Sequence, residues 1–336
     1  MSVYWRSQRR AGLSTAHTGL APAFAAMVGG GALLSLQARA NGELTDRLGS
    51  ALVAGAVSFA VGAVLLAALV ALRPGMRRAL GRVRATPGAI AASGAAGAVL
   101  IVVTASAAPR IGVSLLTICL VAGMTAGALV FDRLGLAPGG RRPVTTPRLA
   151  GALLALTAVI VIGIPNARGG DFQAAVFATV CGAGAAAAFQ TAINGRIRDT
   201  LDSAAVATLA VFATALGMLL AMLAASALLG DVHALDWPGE PWPYAGGLFG
   251  ALFVLAAAVT VARLGVLRST IATLVGQIGT AVVLDTVTPV DAAPVGPATL
   301  AGLGLIFAAA VIANLRRQVS GEPGLQVSVG TPAGAE

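Results

Sequence analysis

The chain has no lysine, only two cysteines and two histidines, few aromatic residues and little charge. Each shortage closes off a class of protein. Average soluble domains carry about 25% charged residues. A chain that is 10% charged and 57% hydrophobic, with mean hydropathy +0.88, is not a soluble globular domain. Cys119 and Cys181 fall inside hydrophobic runs, supply no disulfide framework or metal spacing, and read as small apolar core residues. His17 and His233 lie outside or at the edge of such runs, without a second ligand at metal spacing, and read as solvated or interfacial. No Ser/His/Asp set, carboxylate pair or metal-ligand cluster occurs within the runs, so neither an enzyme nor a cofactor or metal is expected. The net charge of +9 is carried by arginine alone. A nucleic-acid partner is the wrong inference from it, because the arginines sit at the ends of hydrophobic runs, where they orient a protein in a bilayer. Arginine without lysine, beside so much alanine and glycine, suits a GC-rich bacterial genome.

What the chain does have is long apolar runs. Roughly 20 apolar residues cross the hydrocarbon core as a helix. Ten such runs fit, near 19–40, 49–72, 88–108, 112–131, 147–165, 171–193, 203–229, 243–261, 266–285 and 297–315. Helices are expected rather than barrel strands, which would show segments of about 10 residues alternating apolar and polar. With the connecting segments numbered from the N-terminal tail as zero, the odd-numbered ones hold only Arg39, Arg47, Arg110 and Arg168. The even-numbered ones hold the rest, so both termini are predicted to be cytoplasmic. The segment after the second run, Arg73-Pro74-Gly75-Met76-Arg77-Arg78, is basic. The segment after the seventh holds Asp231, Asp236 and Glu240 and is acidic, and Trp237, Trp242 and Tyr244 there suit an interfacial belt.

The sequence also repeats itself. Leu36-Gln37-Ala38-Arg39-Ala40-Asn41-Gly42 returns as Phe189-Gln190-Thr191-Ala192-Ile193-Asn194-Gly195, and 190 minus 37 is 153. At that same offset Asp46 pairs with Asp199, Phe59 with Phe212, Arg110 with Arg263 and Asp132 with Asp285. Glycines join them: Gly29/Gly182, Gly31/Gly184, Gly94/Gly247, Gly97/Gly250 and Gly123/Gly276. One unit holds five runs, an odd number, so the second copy enters the membrane from the opposite side. That predicts an inverted repeat, an architecture of transporters with sites where the copies meet.

The pattern Gly29, Gly31, Gln37, Asn41, Gly42, Ser50, Ser58 and Phe59 resembles the YdcZ-like family, a branch of the drug/metabolite transporter superfamily. The second copy keeps Gly182, Gly184, Gln190, Asn194, Gly195, Ser203 and Phe212, and departs at Val211, where the first has Ser58. The resemblance spans roughly residues 19–315 and implies an inner-membrane transporter in fused, two-copy form. The superfamily moves small polar or cationic metabolites, sugars, amino acids and drugs.

Several residues are candidates for function. Gln37 and Asn41 are four apart and share a helix face, as do Gln190 and Asn194. Unpartnered amides would cost several kcal/mol in hydrocarbon, so they must bond to another helix, to each other across a pseudo-twofold axis, or to a ligand. Three readings stay open: a polar ring contacting substrate, interhelical packing, or helix C-caps at Asn41-Gly42 and Asn194-Gly195. Ser58 and Gln277, the latter standing where the first copy has Met124, join the amides as substrate-pathway candidates. Gly29, Gly31, Gly182 and Gly184 sit in span interiors, where close helix packing or a mobile gate is expected; no strand precedes Gly182-Ala183-Gly184, so a dinucleotide site is rejected. Asp132 and Asp285 end the fourth and ninth runs and are candidates for proton coupling, with a solvated helix-end charge the favoured reading. Small multidrug transporters of the superfamily use a glutamate inside the first span. Here the nearest acid is Glu43, past the Asn-Gly, which argues against proton-driven export of cationic drugs. Ala38-Arg39-Ala40 mimics a signal-peptidase site, but its repeat equivalent lies mid-chain, which argues against cleavage.

The expectation is therefore an all-α membrane protein of ten transmembrane helices in two inverted five-helix repeats. Residues 1–18 form a cytoplasmic tail, 19–165 the first repeat, 171–317 the second, and 318–336 a disordered cytoplasmic tail. Its function would be secondary transport of a small polar metabolite or drug-like solute across the bacterial inner membrane by alternating access. The alternative is a non-transporting membrane scaffold. The expected partners are the lipid bilayer and a small-molecule substrate, with a monomer or homodimer as the working unit.

Overall fold

A computed structural model describes residues 4–136, 140–141, 143–166, 171–229, 235–289 and 295–314. Within these, side chains are described except at 4–19, 162–166, 171–173, 258–259, 261–263, 265–267 and 314. The expectations for His17, His233 and the tail 318–336 fall outside this set.

The chain is all-helical: α1 (Tyr4–Leu48), α2 (Ala51–Leu72), α3 (Pro74–Leu80), α4 (Pro87–Leu134), α5 (Thr146–Asn166), α6 (Asp171–Leu201), α7 (Ala204–Leu228), α8 (Gly246–Val287) and α9 (Pro297–Asn314). Among the described residues, six stretches are long and apolar enough to cross a bilayer: Leu20–Leu48, Ala51–Leu72, Pro87–Leu134, Ala174–Leu201, Ala204–Leu228 and Arg268–Val287. Large apolar side chains such as Val64, Leu153, Ile160 and Leu220 stand on the outside. Such a surface suits lipid rather than water, and the chain is a multi-pass membrane protein.

α1 and α6 run through the Asn-Gly pairs expected to end them, stopping at Leu48 and Leu201 instead of near 40 and 193. The helix C-cap reading of Asn41-Gly42 and Asn194-Gly195 is therefore wrong. Leu44 and Leu48 in one helix, and Ile197 and Leu201 in the other, are almost fully buried. Each pair is spaced to lie on one face, and that burial outweighs the local preference of Asn-Gly to terminate. The true ends are equivalent in the two copies. Gly49 (φ +65°) and Asp202 (φ +52°) take left-handed conformations. Ser50 and Ser203 then cap α2 and α7, accepting from the backbone N–H of Val53 (3.4 Å) and Val206 (3.3 Å).

The third and fourth runs, expected as separate helices, form one element. At 48 residues α4 would be about 72 Å long if straight, more than twice the hydrocarbon thickness of about 30 Å. It breaks at Gly112 (φ 73°, ψ 166°), just after Pro109. The arms before and after the break run in opposite directions along α6. Going up the first arm, Ser93 meets Asn194 and Gly97 meets Gln190, descending α6. Going up the second, Gly123 meets Cys181, Gly127 meets Ala185 and Phe131 meets Phe189, ascending it. The eighth and ninth runs are joined likewise in α8, which lies along α1. Gly246 meets Asn41 and Gly250 meets Gln37 in one direction; Thr273 meets Gly31 and Gln277 meets Ser35 in the other. Among the described residues the most extensive contacts are these two, α4 with α6 and α8 with α1. Each hairpin thus grips the first helix of the other half of the chain.

The connecting segments sort into two groups. Trp242 donates to Glu43 (3.2 Å) and Tyr244 packs with Leu44 and Leu48, which brings the segments around 48, 110, 240 and 287 to one end. At the other, Arg196 donates to the carbonyl of Gly135, and Ala79 and Ile90 pack with Ile197 and Leu201. The short helix α3, not expected from the sequence, belongs to this second group.

Candidate functional site

The four amides lie where the halves interlock. Asn194 accepts from the hydroxyl of Ser93 (2.5 Å), and Gln190 donates to the carbonyl of Ser93 (3.4 Å). In the mirrored contact, position 246, which is 93 plus 153, holds glycine. A Cβ there would run into Oδ1 of Asn41, an oxygen that is buried and has no hydrogen-bond partner among the described residues. Gln37 packs on Gly250 as Gln190 packs on Gly97; a Cβ added at those glycines would stand 2.9 Å and 2.5 Å from the respective Nε2 atoms. Each pair faces the opposite half's hairpin.

The small residues make that approach possible. A Cβ on Gly31 would collide with the carbonyl of Thr273, and one on Gly184 with the carbonyl of Leu120. Gly276 abuts the carbonyl of Val28 as Gly123 abuts that of Cys181. Each contact recurs at an offset of 153 on both partners. Gly29 and Gly182, expected to serve packing or gating with them, face open space. Ser58 is buried with its carbonyl against Gly247. Gln277 enters through its backbone, its carbonyl accepting from Ser35 (2.7 Å).

The two aspartates differ. Asp132 pairs with Arg148, both side chains partly buried. Asp285, for which a solvated helix-end position was favoured, is buried. Its Oδ1 accepts from the N–H of Val113 (2.9 Å) and its Oδ2 from the N–H of Ser114 (2.6 Å). The carboxylate caps the second arm of α4 where the chain breaks. A break exposes backbone donors and the positive end of the arm's dipole, and the acid from α8 neutralises both. Gly112 leaves room for it, since a Cβ there would stand 3.0 Å from Oδ2.

Close to this cap is a cavity of about 260 Å³ lined by Arg39, Gly42, Glu43, Asp46, Ala108, Pro109 and Pro289. Sequence reasoning did not single it out, because its parts come from segments far apart in the chain. The one available signal was Arg39, Glu43 and Asp46 at helical spacing on α1. A second, wider cleft of about 800 Å³ lies between α1 and α8, mostly apolar, with Arg268 at its edge. Neither cavity is lined by the four amides. Among the described residues no group of three His, Cys, Asp or Glu could hold a metal.

The family described as "Putative inner membrane exporter, YdcZ" matches the chain twice, over residues 22–161 and 175–312. No curated protein and no solved structure matches it.

Proposed function

From the premise that the chain belongs to the YdcZ family, in fused two-copy form, we propose that it carries a small polar metabolite or drug-like solute by alternating access. The chain would cross the membrane ten times as two inverted five-helix halves, 19–165 and 171–317, with both termini cytoplasmic in a bacterial inner membrane. One chain already holds both orientations, so a monomer can be complete, although a homodimer is compatible.

The observation that carries this reading is the exchange of equivalent contacts between halves. Gly31 with Thr273 is matched by Gly184 with Leu120, and Gln37 with Gly250 by Gln190 with Gly97. Two copies that grip each other identically have two equivalent ways of parting, one at each end, which is what alternating access requires. Gln37, Asn41, Gln190 and Asn194 lie in the interface that must part. We assign them to the solute pathway as hydrogen-bonding groups, with Ser58 and Gln277 beside them. A scaffold would be served by a packed interior with no polar cavity, and a large water-accessible pocket at the centre would exclude it.

Two measurements test it. Cysteines placed at Arg77 and Asp236 in a cysteine-free background should react with impermeant thiol reagents from opposite sides. Labelling from one side sinks the inverted arrangement. In proteoliposomes loaded with a metabolite panel, N41L/N194L should abolish flux while inserting normally; unchanged flux would remove the asparagines from the pathway.

A further inference from the structure

The cavity beside the α4 break has a charge pattern that packing does not require. Arg39, Glu43 and Asp46 follow one another at i, i+4 and i+7, so all three project from one face of α1. Gly42 lies among them. A Cβ there would stand 2.9 Å from Ala108 and 3.1 Å from Pro109, so glycine lets the broken hairpin form the opposite wall. Glu43 is oriented by Trp242, whose indole N–H donates to it at 3.2 Å; Arg47 stands 3.9 Å away on the solvent side. Arg39 is half-buried, yet it forms no ion pair among the described residues, although two carboxylates line the same cavity.

The second half shows what the fold needs at these positions. The equivalents at the offset of 153 are Ala192, Arg196 and Asp199. Arg196 is tied to the Gly135 carbonyl, and Asp199 to Arg198 at 3.0 Å. That half builds the same helix without the arginine and with its charges already partnered. Arg39 and Glu43 therefore have no counterpart of like charge in the second half.

We propose that this cavity recognises a small soluble zwitterion, with a carboxylate on Arg39 and an ammonium between Glu43 and Asp46. A half-buried guanidinium with no ion-pair partner among the described residues is a strong donor site for a planar carboxylate, which accepts two parallel N–H bonds from it. A simple anion would meet two carboxylates, and a simple cation would meet the guanidinium. Only a ligand carrying both signs satisfies all three groups without like-charge contact. The size suits a molecule of a few heavy atoms to about a dozen, the scale of an α-amino acid. The site's role as a solute vestibule rests on the transport reading above; its binding chemistry does not.

The test is calorimetry on the full chain in phosphatidylglycerol nanodiscs, which offer no zwitterionic headgroup. The probes are α-amino acids, their methyl esters, which are cations, and their N-acetyl forms, which are anions. At least one free amino acid should bind about tenfold more tightly than either blocked form, the loss of one charge-assisted contact. Arg39→Gln should erase the preference over the ester, and Glu43→Gln with Asp46→Asn the preference over the N-acetyl form. These ratios are internal to each variant, so a partly misfolded preparation cannot mimic them. If no amino acid outbinds its blocked forms, or R39Q keeps the preference for a free carboxylate, the inference is overturned. It is equally overturned if phosphatidylethanolamine gives the Arg39-dependent signal and no amino acid does. Flux of some solute, together with no amino acid outbinding its blocked forms, would overturn this inference and leave transport standing. Amino-acid binding with the expected ratios but no flux of any solute would do the reverse.

Discussion

Phe59 meets Phe212 edge to face, ring centroids 5.0 Å apart and planes at 85°. The two residues are repeat equivalents, 212 being 59 plus 153. A residue that touches its own counterpart sits at the axis relating the copies, as in any isologous contact. The pair packs with Ile101 and Leu219 in a small core between α2, α4 and α7. Removing either ring should destabilise the protein, and the double variant F59A/F212A should fall short of the sum by about 0.5–1.5 kcal/mol. A double-mutant cycle from thermal unfolding in nanodiscs checks it; strict additivity would mean the rings do not meet.

The glycines divide into two kinds that composition does not distinguish. Gly31 and Gly184 abut a carbonyl of the opposing hairpin, whereas Gly29 and Gly182 face open space. Gly31→Ala and Gly184→Ala should each cost about 1–3 kcal/mol, because the colliding atom is backbone and cannot swing aside. Gly29→Ala and Gly182→Ala should be neutral or slightly stabilising, since alanine is the better helix former. The yield and melting temperature of the four variants separate the two kinds; equal losses would contradict the packing described.

That contrast shows how far the sequence could be read. The repeat was legible from rare residues at a fixed offset, such as Gln37/Gln190 and Asp132/Asp285, and so were the helices, because apolar runs of this length have few alternatives. Which face each helix turns to its neighbours was not legible. A chain this rich in alanine and glycine has little amphipathic contrast, and lipid and helix interior are both apolar. Asn41-Gly42 looked like a terminator because capping is a local rule, whereas the burial of Leu44 and Leu48 depends on a core shared with α2 and Tyr244. The cavity at Arg39 needed the break in α4 and the end of α8 as well, and nothing local to α1 announces either.

Asp285 should matter more to the fold than Asp132. Two charge-assisted bonds from Val113 and Ser114 end on a buried carboxylate. Losing such bonds costs about 1.5–3 kcal/mol each where the donors stay buried. Asp285→Asn retains one acceptor oxygen but turns an NH₂ toward one of the backbone donors. D285N should therefore lower the melting temperature and speed amide exchange at residues 113–114. D132N should do less, because its ion pair with Arg148 is partly exposed. Hydrogen exchange resolved to the break in α4 is the decisive readout; unchanged protection there would show that the carboxylate does not hold the arm.

The native cysteines offer a direct test of whether α4 and α6 separate during function. Cys119 on α4 and Cys181 on α6 belong to the same packed core, beside the tight crossing of Gly123 on the Cys181 carbonyl. Both are free. One belongs to each half, so a bond between them would tie the two halves together at the crossing. Copper-phenanthroline, taking two electrons from the pair, should form an intramolecular disulfide within one chain. Proteolysis between the two positions, followed by mass analysis with and without reductant, reveals it as two fragments that stay joined until reduced. If the halves part along this crossing during each cycle, cross-linked protein in proteoliposomes should lose solute flux, and a reductant should restore it. The variant C119A, which cannot form the bond, should keep its flux through the same oxidation. Full flux with the bond verified would mean that α4 and α6 move as one body and that the opening lies elsewhere, leaving the α1 and α8 crossing as the place to look.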